Sequence, residues 1–261
     1  VVWWFGAWVF WRFFVMGVFS WIGGEKILYY PGCLTKGVLT ENLENYKEIF
    51  NRLGIDFVML PEKEVCCGLP ILNAGYRKDV KKLAEKNLKL FRSNGIQRIV
   101  TNCPSCLHTF NDVYPKLVRD WDIPCEHATV VICKRIKEKG LRYKGDEKDR
   151  EVVSYHDPCH LGRYSGIYDE PREVIMMLGG KIIEPRFNRE GALCCGGGGG
   201  VRANFEELAK GVAAERVKSF SGDAKKIISP CGLCYANLKS VSDKSVEFSS
   251  FVLGKLRGMG R

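Results

Sequence analysis

Short apolar runs alternate with longer amphipathic segments along most of the chain, and this alternation predicts an α/β fold. Residues 26–30 form the first apolar run and predict a strand, while residues 55–60 and 96–101 predict two more. The helix predicted from Thr40 carries apolar residues three and four positions apart and stops at Gly54. Because strands and helices alternate, the sheets are expected to be mostly parallel.

The same alternation returns in the second half of the chain, after a polar, lysine-rich stretch at residues 134–150 that we interpret as a linker. The tail at residues 246–256 is expected to add one or two amphipathic turns. We therefore predict two tandem domains, residues 25–147 and 148–261. The main elements predicted in the second domain are three strands and a helix, at residues 151–155, 181–184, 226–229 and 201–220.

Residues 1–24 differ from the rest, because apart from Arg12 and Ser20 they have no strongly polar side chain. The length fits a helix that spans a bilayer, and tryptophan favours the membrane boundary. Arg12 lies in the middle of the segment, where a charge is costly, so a buried or partner-docking helix is the alternative. The expectation is a hydrophobic helix anchoring the protein on the cytoplasmic side of the cell membrane. Without that anchor we expect a cytoplasmic protein.

The cysteine content changes this picture from a plain α/β fold to a metal protein. Twelve cysteines in 261 residues are too many to be incidental and too sparse for a secreted disulfide scaffold. Their clustering indicates metal ligation in a reducing compartment. The net charge of +10 is spread along the sequence without a dense basic run, so we predict no nucleic-acid partner.

The cysteine pattern occurs twice. Each half has a single cysteine, then a Cys-Cys-Gly, then a Cys-x-x-Cys, and equivalent positions are separated by 126 to 128 residues. A period this long indicates two homologous domains. The two sets are Cys33, Cys66, Cys67, Cys103 and Cys106 in the first half, and Cys159, Cys194, Cys195, Cys231 and Cys234 in the second.

All three cysteine groups follow predicted strands, so in parallel sheets they should meet at the carboxyl ends. Adjacent cysteines suit a polynuclear metal site, and Gly68, Gly196 and Gly197 would let the backbone approach a bulky inorganic group. Zinc and simple iron–sulfur clusters use four protein ligands, whereas each half offers five. From ligand counting alone, a spare cysteine, an unconventional cluster and a four-thiolate zinc site all stay open.

At these residues the chain resembles the cysteine-rich CCG domain found in the B and D subunits of heterodisulfide reductases. The same domain occurs in the iron–sulfur subunits of glycolate oxidase, anaerobic glycerol-3-phosphate dehydrogenase and lactate-utilisation proteins. The resemblance covers about residues 26–240. It implies one non-cubane [4Fe–4S] cluster held by the five cysteines of each half. Zinc in the first half stays open, because some relatives have been assigned zinc there.

The resemblance also implies a function. In the reductases, the clusters cleave a disulfide in two one-electron steps, so the expected activity is reduction or formation of a thiol disulfide. No C-x2-C-x2-C-x3-C ferredoxin module occurs here, so electrons are expected from a partner or from a part upstream of Val1. That partner would be a ferredoxin-type iron–sulfur protein, a cytochrome b or a flavoprotein. The alternative is an electron relay for a flavin-dependent lactate, glycolate or glycerol-3-phosphate dehydrogenase.

We predict that the second half carries the catalytic cluster, around Cys194 and Cys195, because five glycines follow that pair. His156 and His160 flank Cys159 and are the candidates for proton supply. Cys125 and Cys133 lie outside both sets and are predicted to be buried or free thiols. Other basic or polar residues that could face an anionic substrate are Lys36, His108, Arg163 and Arg202.

Overall fold

A computed structural model describes residues 24–60 and 63–259 of the chain, and this part forms two parallel sheets flanked by helices. The strands are short, and each except β5 has a buried side chain at its carboxyl end. They are β1 (Ile27–Tyr29), β2 (Arg98–Thr101), β3 (Cys125–His127), β4 (Glu151–Tyr155), β5 (Gly180–Ile182), β6 (Lys226–Ser229) and β7 (Ser245–Glu247).

The helices range from single turns beside the cysteines to long amphipathic helices that cover the sheets. A π-helical turn, Thr109–Val113, joins two of the short ones. In the described part the α-helices are α1 (Cys33–Gly37), α2 (Thr40–Leu53), α3 (Leu69–Asn73), α4 (Arg77–Ser93), α5 (Pro104–His108), α6 (Tyr114–Leu117), α7 (Ala128–Glu138), α8 (Asp169–Met177), α9 (Val201–Asn204), α10 (Glu206–Lys218), α11 (Gly232–Lys239) and α12 (Phe248–Met259).

The two sheets have the same strand order, which confirms the predicted duplication. The first sheet runs β1-β2-β3 and the second runs β5-β4-β6-β7, with every pair parallel. The strand predicted at residues 55–60 is reduced to one parallel bridge, Val58 with Leu28, at the position that β5 takes in the second sheet. The amide N–H of Tyr29 still donates to the Val58 carbonyl at 2.9 Å. The predicted α/β class and parallel sheets are therefore correct.

Each half ends in a strand and a helix. The hydrophobic pattern did not predict β3, α7 or β7, whereas the amphipathic turns expected at residues 246–256 are part of α12. Strand β3 leads directly into α7, and β7 leads directly into α12. The linker prediction for residues 134–150 was wrong in its first part, because residues 134–138 are the end of α7. These lysines lie on the outer face of a helix whose inner face, including Ile132 and Ile136, is buried. The helix predicted at residues 201–220 is interrupted at Phe205.

The final helix of each half packs on the first long helix of the other half. Helix α12 packs against α2, and α7 packs against α8. One hydrophobic core therefore contains buried residues from both halves, such as Tyr46, Phe50, Ile132, Val174 and Phe251. Burial of such side chains contributes about 1.5–3 kcal/mol each. The halves are homologous units that share a core.

The hydrophobic helix predicted for residues 1–24 lies almost entirely outside the described residues. Within residues 24–60 and 63–259, no helix combines the length and the apolar character needed to cross a bilayer.

Candidate metal centre

All ten cysteines of the two predicted sets line one cavity of about 550 Å³ between the halves. The sheets explain this convergence. Cys33 and Cys103 follow β1 and β2, while Cys159 and Cys231 follow β4 and β6, so four of them leave the carboxyl ends of central strands. The Cys-Cys pairs arrive on loops after Val58 and after β5. The structure thus brings together the residues that sequence spacing grouped.

In the first half, the sulfur atoms lie within contact distance of one another without forming disulfides. The Sγ atoms of Cys67 and Cys106 are 3.5 Å apart, and the amide of Gly68 donates to Cys66 Sγ at 3.4 Å. Gly32 has a left-handed backbone, and a Cβ there would lie 3.1 Å from Cys103 Cβ. The glycine therefore keeps space beside the CxxC cysteines that any side chain would take.

Hydrogen bonding concentrates negative charge on two cysteines of this half. The Cys33 thiol, followed by the Cys67 thiol and the Gly68 amide, lowers the pKa of Cys66 to about 2. The Cys106 thiol lowers the pKa of Cys103, helped by the amides of Ser105 and Cys106 at the start of α5. Free N–H groups at a helix start favour a thiolate, and Cys103 lies directly before α5.

The second half repeats this geometry with a tighter sulfur contact. The Sγ atoms of Cys195 and Cys234 are 3.0 Å apart. Gly196 donates to Cys194 Sγ at 3.3 Å, and Gly197 donates to Cys195 Sγ at 3.4 Å. The thiols of Cys194 and then Cys234 hold the pKa of Cys195 far below its usual range, and the nearby His156 ring lowers it further. The lowered pKa thus belongs to Cys195, the second cysteine of its pair, whereas in the first half it belongs to Cys66, the first cysteine of its pair.

The predicted glycines act through their amides and their lack of a Cβ, while other glycines face the cavity. A Cβ on Gly196 would lie 2.7 Å from the Ala209 carbonyl oxygen, and one on Gly197 would lie 3.1 Å from that of Leu233. These glycines allow close packing on α10 and α11. Gly198, Gly199 and Gly200, in contrast, are among the residues that line the cavity.

The two predicted histidines occupy different places. His160 lines the cavity, with Nδ1 3.4 Å from Cys159 Sγ, and its ring stacks on Tyr164. Burial lowers its pKa, with further contributions from His108 and Arg163. His156 lies behind the cysteines, is 1% exposed and is not among the residues that line the cavity.

Most of the basic residues predicted to face a substrate do not line the cavity. Apart from the cysteines, His160 is the ionisable residue found in its wall in the described part of the chain. Lys36 lies 4.0 Å from Glu64, and Arg163 donates to the carbonyls of Glu190 and Ala192. The remaining two are His108, which contacts Asp112, and Arg202 on α9. Cys125 and Cys133 are buried away from the cavity.

Buried polar residues behind the cysteines were missed by the sequence analysis. Asn237 donates to the Cys195 carbonyl at 2.6 Å, and Tyr114 donates to the Cys67 carbonyl at 2.9 Å, fixing each Cys-Cys loop. Arg216 donates from Nε to His156 Nδ1 at 3.1 Å. The sequence does contain a sign that Arg216 is buried, because helical spacing places it on the same inward face as Ala209 and Ala213.

A buried ion pair anchors the loop before Cys159. Arg172 forms two hydrogen bonds to Asp157, at 2.7 and 2.9 Å, and two more to Glu184, at 2.6 and 3.0 Å. Its guanidinium lies over the Tyr155 ring, 4.5 Å from the centroid. The loop is therefore held by a fully hydrogen-bonded side chain from α8.

The donor set fits a thiolate-held iron–sulfur cluster in each half. Ten sulfurs converge without disulfides, backbone amides donate to several of them, and glycines keep their approaches open. A buried nitrogen of His156, Nε2, has no hydrogen-bond partner among the described residues, as expected beside a group that the protein binds. Five thiolates in each half exceed the four that zinc uses.

Comparison with known proteins agrees with the site. The cysteine-rich domain family, CCG, matches the chain twice, over residues 27–111 and 153–239. This chain belongs to the cysteine-rich CCG domain family. Its two matched segments contain the two five-cysteine sets, so the repeat predicted from spacing is the repeat of the family.

Three relatives of this CCG protein are named as oxidoreductases or as a subunit of one. The D subunit of dihydromethanophenazine:CoB–CoM heterodisulfide reductase from Methanosarcina mazei is 33% identical over 83% of this chain and 54% of its own length. EtfAB:quinone oxidoreductase of Syntrophomonas wolfei is 30% identical over 71% of this chain and 27% of its own. The probable iron-sulfur-binding oxidoreductase FadF of Bacillus subtilis is 30% identical over 74% of this chain and 27% of its own.

The CCG protein spans about half the length of the Methanosarcina reductase polypeptide, and a smaller share of the longer relatives. Among solved structures, an aspartate racemase homologue from Pyrococcus horikoshii covers 90% of this chain and 99% of its own at 15% identity, with a TM-score of 0.34. That score is too low to support an argument.

Proposed function

We propose that the protein is an iron–sulfur oxidoreductase subunit of the heterodisulfide-reductase type, which reduces or forms a thiol disulfide. The observation that carries the proposal is the single cavity shared by both five-cysteine sets. Two one-electron sites that face one space suit a two-electron reaction on one substrate. The 33% identity to a polypeptide of a heterodisulfide reductase supports the same conclusion.

In this proposal each set of five cysteines holds one non-cubane [4Fe–4S] cluster. When bound, such clusters supply one-electron transfer and an iron that accepts a substrate sulfur. The overall reaction converts one disulfide, two electrons and two protons into two thiols. His160 is the cavity residue that can hold and deliver a proton, from its ring nitrogens beside Cys159.

The cavity wall also indicates which part of the substrate enters. The wall contains apolar side chains, Thr35, Ser105, two asparagines and open glycine backbone, but no lysine, arginine or carboxylate among the described residues. Burying an unpaired charge there is costly, and the thiolates repel anions. We therefore propose that a neutral part of the disulfide substrate enters, with any charged group staying outside.

Metal content and disulfide turnover test the proposal together. Anaerobically purified protein should hold about eight irons per chain and show an iron–sulfur EPR signal. Reduced viologen should then drive conversion of a disulfide to two thiols, counted with a thiol reagent. A protein with far fewer irons and no such EPR signal would contradict the proposal. Zinc in the first half would appear as about four irons with one zinc.

Cysteine variants test which half is catalytic. Cys195→Ala should abolish turnover, because the proposed catalytic site is in the second half. Cys133→Ser is the matched control, since this buried cysteine lies outside both sets. If Cys67→Ala alone abolished turnover while Cys195→Ala stayed active, the two halves would have the opposite roles.

The second candidate is an electron relay for a flavin-dependent dehydrogenase acting on lactate, glycolate or glycerol 3-phosphate. It is favoured by the similarity to EtfAB:quinone oxidoreductase, a protein whose name joins EtfAB to a quinone. In either case the partner would be a ferredoxin-type iron–sulfur protein, a cytochrome b or a flavoprotein. Purification of the tagged protein with a flavoprotein, without thiol–disulfide activity, would favour the relay.

Attachment to the cytoplasmic face of the membrane belongs to the same proposal through residues 1–24. Cell fractionation of the full chain and of a variant that begins at Glu25 tests it. Membrane recovery of the full chain alone supports attachment. Equal distribution of the two contradicts it.

A further inference from the structure

A histidine and an arginine form a buried pair directly behind the cysteines of the second half. His156 is 1% exposed and Arg216 is 0% exposed. A ring nitrogen of His156 and the sulfurs of Cys195 and Cys234 all lie within 4.8 Å of one another. Nothing in the disulfide reaction itself requires this pair, so its position calls for another explanation.

The hydrogen bond from Arg216 fixes the protonation pattern of the histidine ring. Arg216 Nε–H donates to His156 Nδ1 at 3.1 Å, so Nδ1 must be the unprotonated nitrogen. The proton of the neutral ring is then on Nε2, which has no partner in the described part of the protein. Nε2–H is therefore a donor kept available on the side of the cysteine sulfurs.

Arg216 is itself held rigidly and stays charged. It donates from Nη1 to the Phe187 carbonyl at 2.7 Å and to Ser219 Oγ at 3.2 Å, and it lies over the Phe220 ring. Burial lowers its pKa to about 10, so the side chain is still cationic near neutral pH. A fixed positive charge thus lies behind the second five-cysteine set.

The first half has no equivalent pair among its described residues. Tyr30 takes the place of His156, three residues before the first cysteine, and its hydroxyl donates to the Val65 carbonyl at 2.6 Å. Asn87 takes the place of Arg216 and donates to Tyr114 Oη at 2.9 Å. The equivalence of Asn87 and Arg216 follows from the spacing of buried residues, which is the same in the two helices. The buried residues are Val80, Ala84, Asn87 and Phe91 in α4, and Ala209, Ala213, Arg216 and Phe220 in α10 and just after it.

We propose that His156, positioned by Arg216, donates a hydrogen bond to the sulfurs of the second site and makes it the more easily reduced of the two. The proposal rests on the proposed function, since it requires a cluster in each half. Reduction adds negative charge, which a donor and a nearby cation stabilise, and hydrogen bonds to sulfur set cluster potentials. Electrons shared between the two sites then collect at the second.

Redox titration followed by EPR on the anaerobic, iron-loaded protein tests this assignment. Cys67→Ser and Cys195→Ser identify the signal of each half. In His156→Phe and in Arg216→Met, the equilibrium constant for reduction of the second site should fall about tenfold, a shift of about 59 mV. His156→Gln keeps an N–H donor and should retain most of the wild-type potential. Tyr30→Phe is the matched control and should leave the second signal in place.

Isotope labelling separates a hydrogen bond from a ligand bond. Protein containing ¹⁵N-histidine should show a weak nitrogen coupling to the second site by pulsed EPR, which His156→Phe removes and Arg216→Met weakens. A strong coupling, together with iron loss in His156→Phe, would make His156 a ligand and overturn the proposal. An unchanged potential in an iron-replete His156→Phe protein would also overturn it. Absence of iron in the wild type would instead count against the proposed function.

Discussion

Glu247 is a carboxyl buried in the core that the two halves share, and replacing it with glutamine should change how stability depends on pH. Its Oε1 accepts a hydrogen bond from the Tyr46 hydroxyl of the other half at 2.9 Å. Its Oε2 accepts from the amide of Ser249 at 2.6 Å and from the Ser249 hydroxyl, at the start of α12. Burial raises the pKa of Tyr29, and the nearby carboxylate of Glu247 raises it further. Glutamine has the same shape and cannot ionise.

The magnitude follows from the shifted pKa. Burial raises the pKa of Glu247 from 4.5 to about 7, although its hydrogen bonds act in the opposite direction. Because the folded state binds this proton more tightly, the stabilisation is fully present below pH 4.5 and is lost as pH rises through 7. At about 1.36 kcal/mol per pKa unit, the loss between pH 5 and pH 8 is about 2.5 kcal/mol.

Urea unfolding of wild type and Glu247→Gln under anoxic conditions, followed by circular dichroism at several pH values, measures this difference. The glutamine variant should gain about 2.5 kcal/mol relative to wild type between pH 5 and pH 8. Subtracting the two profiles removes the contribution of the other titrating groups. Parallel profiles across this range would refute the reasoning, because they would mean that the carboxyl titrates alike in the folded and unfolded chains.

Two further predictions concern the loops that carry the cysteines. Arg172→Met leaves Asp157 and Glu184 without their cation and should destabilise the fold by about 3–5 kcal/mol in urea unfolding. The control Arg52→Met breaks an exposed ion pair and should cost under about 1 kcal/mol. Equal costs would contradict the anchoring role of Arg172. Gly32→Val should lower the iron content by about half, since its side chain would meet Cys103 and Cys106. Gly37→Val is the control, because a Cβ at Gly37 meets nothing within 4 Å. Full iron in Gly32→Val would show that the loop can move aside.

The sequence was sufficient to predict the features that repeat. Strand β4 was predicted at its observed bounds, and the spacing of the cysteine groups predicted that the five cysteines of each half meet, whereas the single cavity shared by both sets was not predicted. The reason is that strands buried on both faces give plain apolar runs, and cysteines at their carboxyl ends have little freedom in a parallel sheet.

The remaining features depend on contacts between distant parts of the chain. Strands β3 and β7 are three residues long and contain His127 and Glu247, which no hydrophobic pattern assigns to a strand. Lys134 looked like part of a linker because the inner face of α7 becomes evident only against α8. His156 looked like a cavity residue because it is close to Cys159 in sequence, whereas the strand it follows directs it to Arg216.

The exchange of end helices between the halves has a consequence for synthesis on the ribosome. The first half needs α12, the last helix of the described chain, to cover Tyr46 and Phe50 on α2. A nascent chain that has completed α7 therefore still exposes part of its core, and domains generally fold as units. Stable folding of the first half, and with it the arrangement of Cys33 and its set, must wait until α12 has emerged. The two five-cysteine sets are thus completed late and together, and a chain truncated before Phe248 should be a substrate for proteolysis rather than a half-active protein.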